Sequence, residues 1–218
     1  QYDKQVKFWE VWNEPDYATT FKTEMAPGLP GAWWNTNPDP CEYALHAPVQ
    51  HYIRLLRISY EVIKTLSPDD YVCVGGIGFP SFLDVLLRQT DNPEGGKVTP
   101  QYPLQGGAYF DVLSYHSYPH IDGSVRSWSD KINGFTYERH SDKAAEGIFR
   151  RKNQHEDVLT KYGYDGKKYP KKHFIITECN IPAERVGEYM GSEEVQRNFL
   201  MKALVLSQKK DVKQFYVY

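Results

Sequence analysis

Apolar positions along the chain alternate between two periods, and the switch between them predicts its elements. Short runs of β-prone residues occur at Val6–Trp12, Tyr71–Ile77 (YVCVGGI), Phe110–His116 (FDVLSYH), His173–Glu178 (HFIITE) and Val212–Tyr218 (VKQFYVY). Helical spacing separates them. Tyr52, Leu55, Leu56, Ser59, Val62, Ile63 and Leu66 predict a helix over about 47–66, with Pro48 near its first turn and Ser67-Pro68 as its stop. A shorter helix is expected at Pro80–Gln89. A third runs from a Ser141 cap to Tyr162, before Gly163. A fourth opens at Ser192 and ends at Lys210, with Val195, Phe199, Ala203 and Leu206 as its stripe.

This β-α-β-α-β-α-β-α-β order implies an α/β protein with a parallel sheet and helical crossovers. Two architectures fit: an open doubly wound sheet, or an arc of a (β/α)8 TIM barrel. Long polar stretches at 17–43, 90–108 and 119–140 read as loops. The glycines of YVCVGGI suggest close backbone approach within the second strand.

Composition narrows the function classes. The chain has 218 residues, 40% hydrophobic and 25% charged, which is globular rather than disordered. Net charge is −2 with no basic run, so nucleic acid is not an expected partner. No apolar run reaches membrane-spanning length, so no membrane partner is expected either. Three cysteines, an odd number without CxxC spacing, argue against a disulfide framework, and Cys73 and Cys179 read as buried small hydrophobes. His116 and His120 do not form a metal pair, because Pro119 forbids helical spacing and a third ligand is not evident; no metal and no cofactor are expected.

The chemistry-bearing residues gather where strands end. The first strand closes W-N-E-P-D and the fourth I-T-E-C-N, so Glu14 and Glu178 both stand at C-terminal strand tips, where α/β barrels build active sites. Alternation would put Glu14 on one face with Trp12 and Glu10, Trp12 pointing inward either to line the site or to fill the barrel. Glu10 is expected to pair with a barrel Arg or Lys outside this sequence. The third strand brings His116 to the same rim, with Tyr118 just beyond. A pair of carboxyl groups, one proton donor and one nucleophile, is what retaining glycoside cleavage requires. Trp33 and Trp34, in the long first loop, are candidate platforms for a sugar ring or else that loop's hydrophobic anchor.

With these motifs the chain resembles the clan A glycoside hydrolases, retaining TIM-barrel enzymes, and W-E-V-W-N-E-P-D with I-T-E-C-N looks closest to the xylosidase- and iduronidase-like families. The resemblance implies Glu14 as acid/base and Glu178 as nucleophile. It places Asn13 against the sugar 2-hydroxyl and His116 and Tyr118 as the supporting H-x-Y pair, with Asn180 a further substrate contact. It also implies a carbohydrate substrate and a secreted or periplasmic enzyme. In that frame the strands are numbers four to eight, and residues 1–218 are the C-terminal portion of one catalytic barrel. Strands one to three and the final helix would belong to the same parent chain. The clan's strand-two Arg has no counterpart here, and its strand-eight Trp is not among Phe215–Tyr218. Two other classes compete: a carbohydrate-binding barrel without activity, and an open-sheet nucleotide-binding protein. The latter is disfavoured because Gly75-Gly76-x-Gly78 lacks the dinucleotide spacing.

Overall fold

The computed structural model describes residues 5–18, 33–34, 39–187 and 190–218. Most of the loop read at 17–43 therefore lies outside the described residues. Five strands form one sheet in the order β1 (Phe8–Val11), β2 (Tyr71–Ile77), β3 (Val112–Ser117), β6 (His173–Cys179) and β7 (Val212–Phe215). The β1–β2 and β6–β7 pairs are parallel. Among the described residues four α-helices occur, α1 (Val49–Leu66), α2 (Pro80–Arg88), α3 (Ser141–Lys161) and α4 (Glu193–Lys209). The α/β alternation expected from the sequence is thus present, with shifts of a few residues at element ends.

The chain divides into two compact units, Gln1–Ser114 with His155–His173, and Tyr115–Gln154 with Phe174–Tyr218. In the first, β1 and β2 pair from Phe8↔Tyr71 to Val11↔Val74. Helix α1 covers them with Val49, Tyr52, Ile53 and Leu56, all fully buried. Each such side chain contributes about 1.5–3 kcal/mol through removal of apolar surface from water. The expected stripe is only half right. Leu55, Val62 and Leu66 lie on the exposed side of α1 together with Ile58, so the buried face is rotated toward its N-terminal half. Helix α2 is apolar on nearly every side and buries Phe82, Leu83, Val85, Leu86 and Leu87.

The second unit rests on β6 and β7, whose register shifts between Phe174 and Ile175. Ser192 caps α4 by accepting from the Val195 amide at 3.1 Å, and Glu193 and Glu194 complement the positive helix end. Phe199 and Ala203 are buried as expected, whereas Met201, Leu204 and Val205 are exposed. The stretch read as loop at 119–140 contains an antiparallel hairpin, β4 (Arg126–Ser129) with β5 (Gly134–Tyr137). Trp128 packs edge-on against Phe135, and the Arg126 guanidinium lies 4.3 Å from the same ring. Cys73 and Cys179 are free and buried, and Cys41 is exposed.

Candidate active site

The end of β1 is shaped by contacts with β2 and α1. Strand β1 stops at Val11, three residues before Glu14, so strand alternation does not place the glutamate. Trp12 and Glu14 instead take left-handed backbone angles, φ 73° and 42°, on either side of Asn13. Such conformations cost non-glycine residues about 1–3 kcal/mol each, and surrounding structure must enforce them. The Tyr17 amide donates to the Glu14 carbonyl at 3.1 Å, closing a turn with Pro15 at its second position.

Two neighbours hold that turn. The Tyr52 hydroxyl donates to the Val11 carbonyl at 3.0 Å and accepts from the Gly75 amide at 2.7 Å. A Cβ at Gly75 would lie 2.5 Å from the Trp12 carbonyl oxygen, so only glycine lets the β1 end approach β2 this closely. Asp16, fully buried, accepts from the amides of Gly78 and Phe79 at 2.8 and 2.7 Å, just before α2. Burial pushes its carboxyl up to about 7, against the pull of those two amides, and the charge of Glu14 adds to the rise.

Of the two places expected for Trp12, its 55% exposure is compatible with lining a site and not with filling a barrel interior. Asn13 is exposed and Glu14 half-buried. Glu10 accepts a hydrogen bond from the Ser114 hydroxyl. Trp33 corrects the platform reading. It has no solvent exposure, meets Tyr43 and Phe82 edge-on at 5.3 and 5.2 Å, and its carbonyl accepts from Arg88. With both ring faces covered it is the loop's anchor, and no sugar can stack on it. Trp34 beside it is half-buried.

In the second unit, Glu178 is the penultimate residue of β6 and half-buried. The Tyr118 hydroxyl donates to its Oε2 at 2.7 Å. His116, on β3 and 5% exposed, brings Nδ1 to 3.5 Å from that same oxygen. Its other nitrogen, Nε2, lies 3.1 Å from the Thr177 hydroxyl. With the proton on Nδ1, facing the carboxylate, Nε2 accepts from Thr177. Three residues expected at the rim therefore do meet: His116, Tyr118 and Glu178. Both of these contacts fall on one carboxylate oxygen, which fixes the orientation of the group.

Asn180 stands near this cluster, yet its amide is engaged in structure. Its Nδ2 donates to the Tyr218 carbonyl at 2.6 Å, and its Oδ1 accepts from the Ile181 amide and from Gln196. Together with Tyr118, His120 and Pro182 it borders an open depression of about 370 Å3. Burial lowers the His120 imidazole below its ordinary range. Sequence reasoning missed Asp16, Tyr52 and Thr177. Asp16 follows Pro15 directly, but its partners lie 62 and 63 residues away, and no local pattern announces them.

No family model matches the chain, and no curated protein matches it. Solved structures do. An endo-laminarinase from Formosa Hel1_33_131 superposes with TM-score 0.54 at 13% identity, over 82% of this chain and 44% of its own. AbfB, a family 51 α-L-arabinofuranosidase from Bifidobacterium longum, gives 0.53 at 11%, over 98% and 38%. A glycoside hydrolase family 17 β-1,3-glucanosyltransferase from Rhizomucor miehei gives 0.51 at 12%, over 79% and 48%. The chain spans less than half the length of each of these structures. At such identities the likeness is one of fold: a parallel α/β sheet matching part of the TIM barrel on which these glycoside hydrolases are built.

Proposed function

We propose that the chain is part of the catalytic barrel of a retaining glycoside hydrolase, with Glu178 as nucleophile and Glu14 as acid/base. The observation that carries this reading is the cluster on Glu178. A carboxylate at the C-terminal end of a parallel strand is held through Oε2 by a tyrosine hydroxyl at 2.7 Å and faced by an imidazole nitrogen at 3.5 Å. Because both contacts fall on Oε2, the attacking atom is Oε1. The strained turn around Glu14 supports a functional role for the second carboxyl, since left-handed non-glycine residues concentrate where function requires them.

In the first step Glu178 Oε1 forms a bond to the anomeric carbon. The glycosidic C–O bond breaks, and Glu14 passes its proton to the departing oxygen. In the second step Glu14 takes a proton from water, whose oxygen displaces Glu178 and releases the sugar. Two displacements retain the anomeric configuration. Asn13 contacts the sugar 2-hydroxyl in this scheme, and the exposed ring of Trp12 and half-buried Trp34 flank the same loop. The remaining strands of the barrel belong to the same parent chain.

Glu178→Ala tests the assignment. Turnover of responsive aryl glycosides should disappear with the far-UV dichroism unchanged, and azide should restore it with a glycosyl azide as product. Substantial activity in Glu178→Ala without azide would sink the assignment. Saturable sugar binding by the unaltered protein, with no turnover across a broad panel, would instead indicate a binding barrel.

A further inference from the structure

At the N-terminal ends of β2 and β3, the opposite strand ends from Glu14, the first unit encloses a cavity of about 380 Å3. Lys172 lies in its wall and is 8% exposed. Its ammonium donates to the carbonyls of Gly107, at 2.8 Å, and Phe110. It also sits 4.6 Å from the ring centroids of both Phe110 and Tyr164. Among the described residues no carboxylate forms an ion pair with it. The nearby Asp111 is engaged by Lys64 at 2.8 Å and by the Val72 amide at 3.0 Å. An ammonium has three donors, and two are used here. Buried charge without a counter-charge is costly, and burial correspondingly lowers this amine to about 8.

Tyrosines form much of the remaining wall. The hydroxyls of Tyr60, Tyr71, Tyr164 and Tyr169 make no hydrogen bond to another described residue, although all four border the cavity. Gly107 keeps room for one of them, since a Cβ there would lie 2.3 Å from the Tyr164 hydroxyl. The rings are partly engaged, with Tyr164 on Tyr169 at 5.0 Å, Phe8 on Tyr71 at 4.9 Å, and ammonium groups over Tyr60, Tyr164 and Tyr169. The cavity therefore offers phenol donors that no described residue uses, tyrosine edges and one cation lacking an anion. Tyrosines alone would suit a neutral sugar or a quaternary ammonium. The cation in the wall disfavours the second and adds a demand that the first does not meet.

We propose that this cavity is a second carbohydrate site that takes a sugar ring bearing a carboxylate, a hexuronate. The carboxylate meets the Lys172 ammonium as a charge-assisted hydrogen bond, the tyrosine rings wall the space around the sugar, and their phenols bond its hydroxyls. This site is separate from Glu14 and Glu178 and does not depend on the reading of those residues as catalytic.

Calorimetric titration of the full chain with methyl β-D-glucuronide, methyl β-D-glucoside and acetate tests it. The glucuronide should bind saturably, at least tenfold more tightly than either of the other two. Tyr169→Ala, at a half-exposed wall position where folding is not at risk, should weaken it severalfold, and Lys172→Met, where it folds, more than tenfold. Glu178→Gln should leave it unchanged. Equal binding of glucoside or acetate would overturn the proposal. So would absence of binding, or binding lost in Glu178→Gln and kept in Tyr169→Ala.

Discussion

Tyr118 gives its single O–H to Glu178, and that bond isolates what one residue does for the candidate nucleophile. A hydrogen bond to a charged acceptor is worth about 1.5–3 kcal/mol. Tyr118→Phe removes only the oxygen, so kcat/KM should fall about 10- to 100-fold while the thermal midpoint stays close to that of the parent. An unchanged kcat/KM would remove Tyr118 from the site. At this scale the sequence was informative where chemistry is local. Glu178, His116 and Tyr118 were legible because strand ends in a parallel sheet point one way, and the H-x-Y spacing puts His116 within the end of β3 and Tyr118 just beyond it. Trp33 was not. Whether a loop tryptophan faces solvent depends on Tyr43 and Phe82, which approach it only once the chain has folded. Nor was Trp12, because alternation fails at the left-handed residue that ends β1.

Between elements, the contact of β1 with β2 depends on Gly75. A methyl group there would stand 2.5 and 2.6 Å from the carbonyl oxygens of Trp12 and Val11, neither of which belongs to a flexible side chain. Gly75→Ala should push the β1 end outward and cost about 1–3 kcal/mol, read as a lower denaturant midpoint with an unchanged slope. Activity should fall more steeply than stability, because Glu14 rides on the displaced turn. A variant with the parent's midpoint and turnover would show that the β1 end tolerates displacement. Helices and the buried strands β2, β3 and β6 were readable because their apolar patterns extend over six or more residues. The hairpin of β4 and β5 was not. Its strands are four residues each and largely exposed on both faces, so no apolar alternation marks them, and pairing of Trp128 with Phe135 stands in for a core. On α1 the period was right and the direction half wrong, since spacing identifies a stripe without saying which part of it another element covers.

For the whole molecule, Asp16 links folding to pH. Its carboxyl titrates near 7 in the folded protein and near 3.8 when free, so the folded state holds a proton that the unfolded chain releases. Stability from this group is therefore greatest below about pH 4. It declines by roughly 1.4 kcal/mol per pH unit as pH rises toward 7, and levels off above that. Asp16→Asn keeps an acceptor for the Gly78 and Phe79 amides while removing the titration. Thermal midpoints measured from pH 4 to 8 should fall less steeply in this variant than in the parent, and identical slopes would refute the assignment. The α/β architecture was legible at this scale from element order alone, whereas Asp16 required the folded contact between residues more than sixty positions apart. One last consequence concerns Tyr52, whose hydroxyl joins Val11 to Gly75. Burial pushes that phenol far above its ordinary range. In an alkaline titration followed by ultraviolet absorbance, surface phenols ionise first and Tyr52 joins the late phase, when its proton is withdrawn from Val11. Buried Tyr43 and Tyr115 are raised as well, so the part of the late rise that Tyr52→Phe removes is the label-free optical signal for the loosening of the turn that carries Glu14.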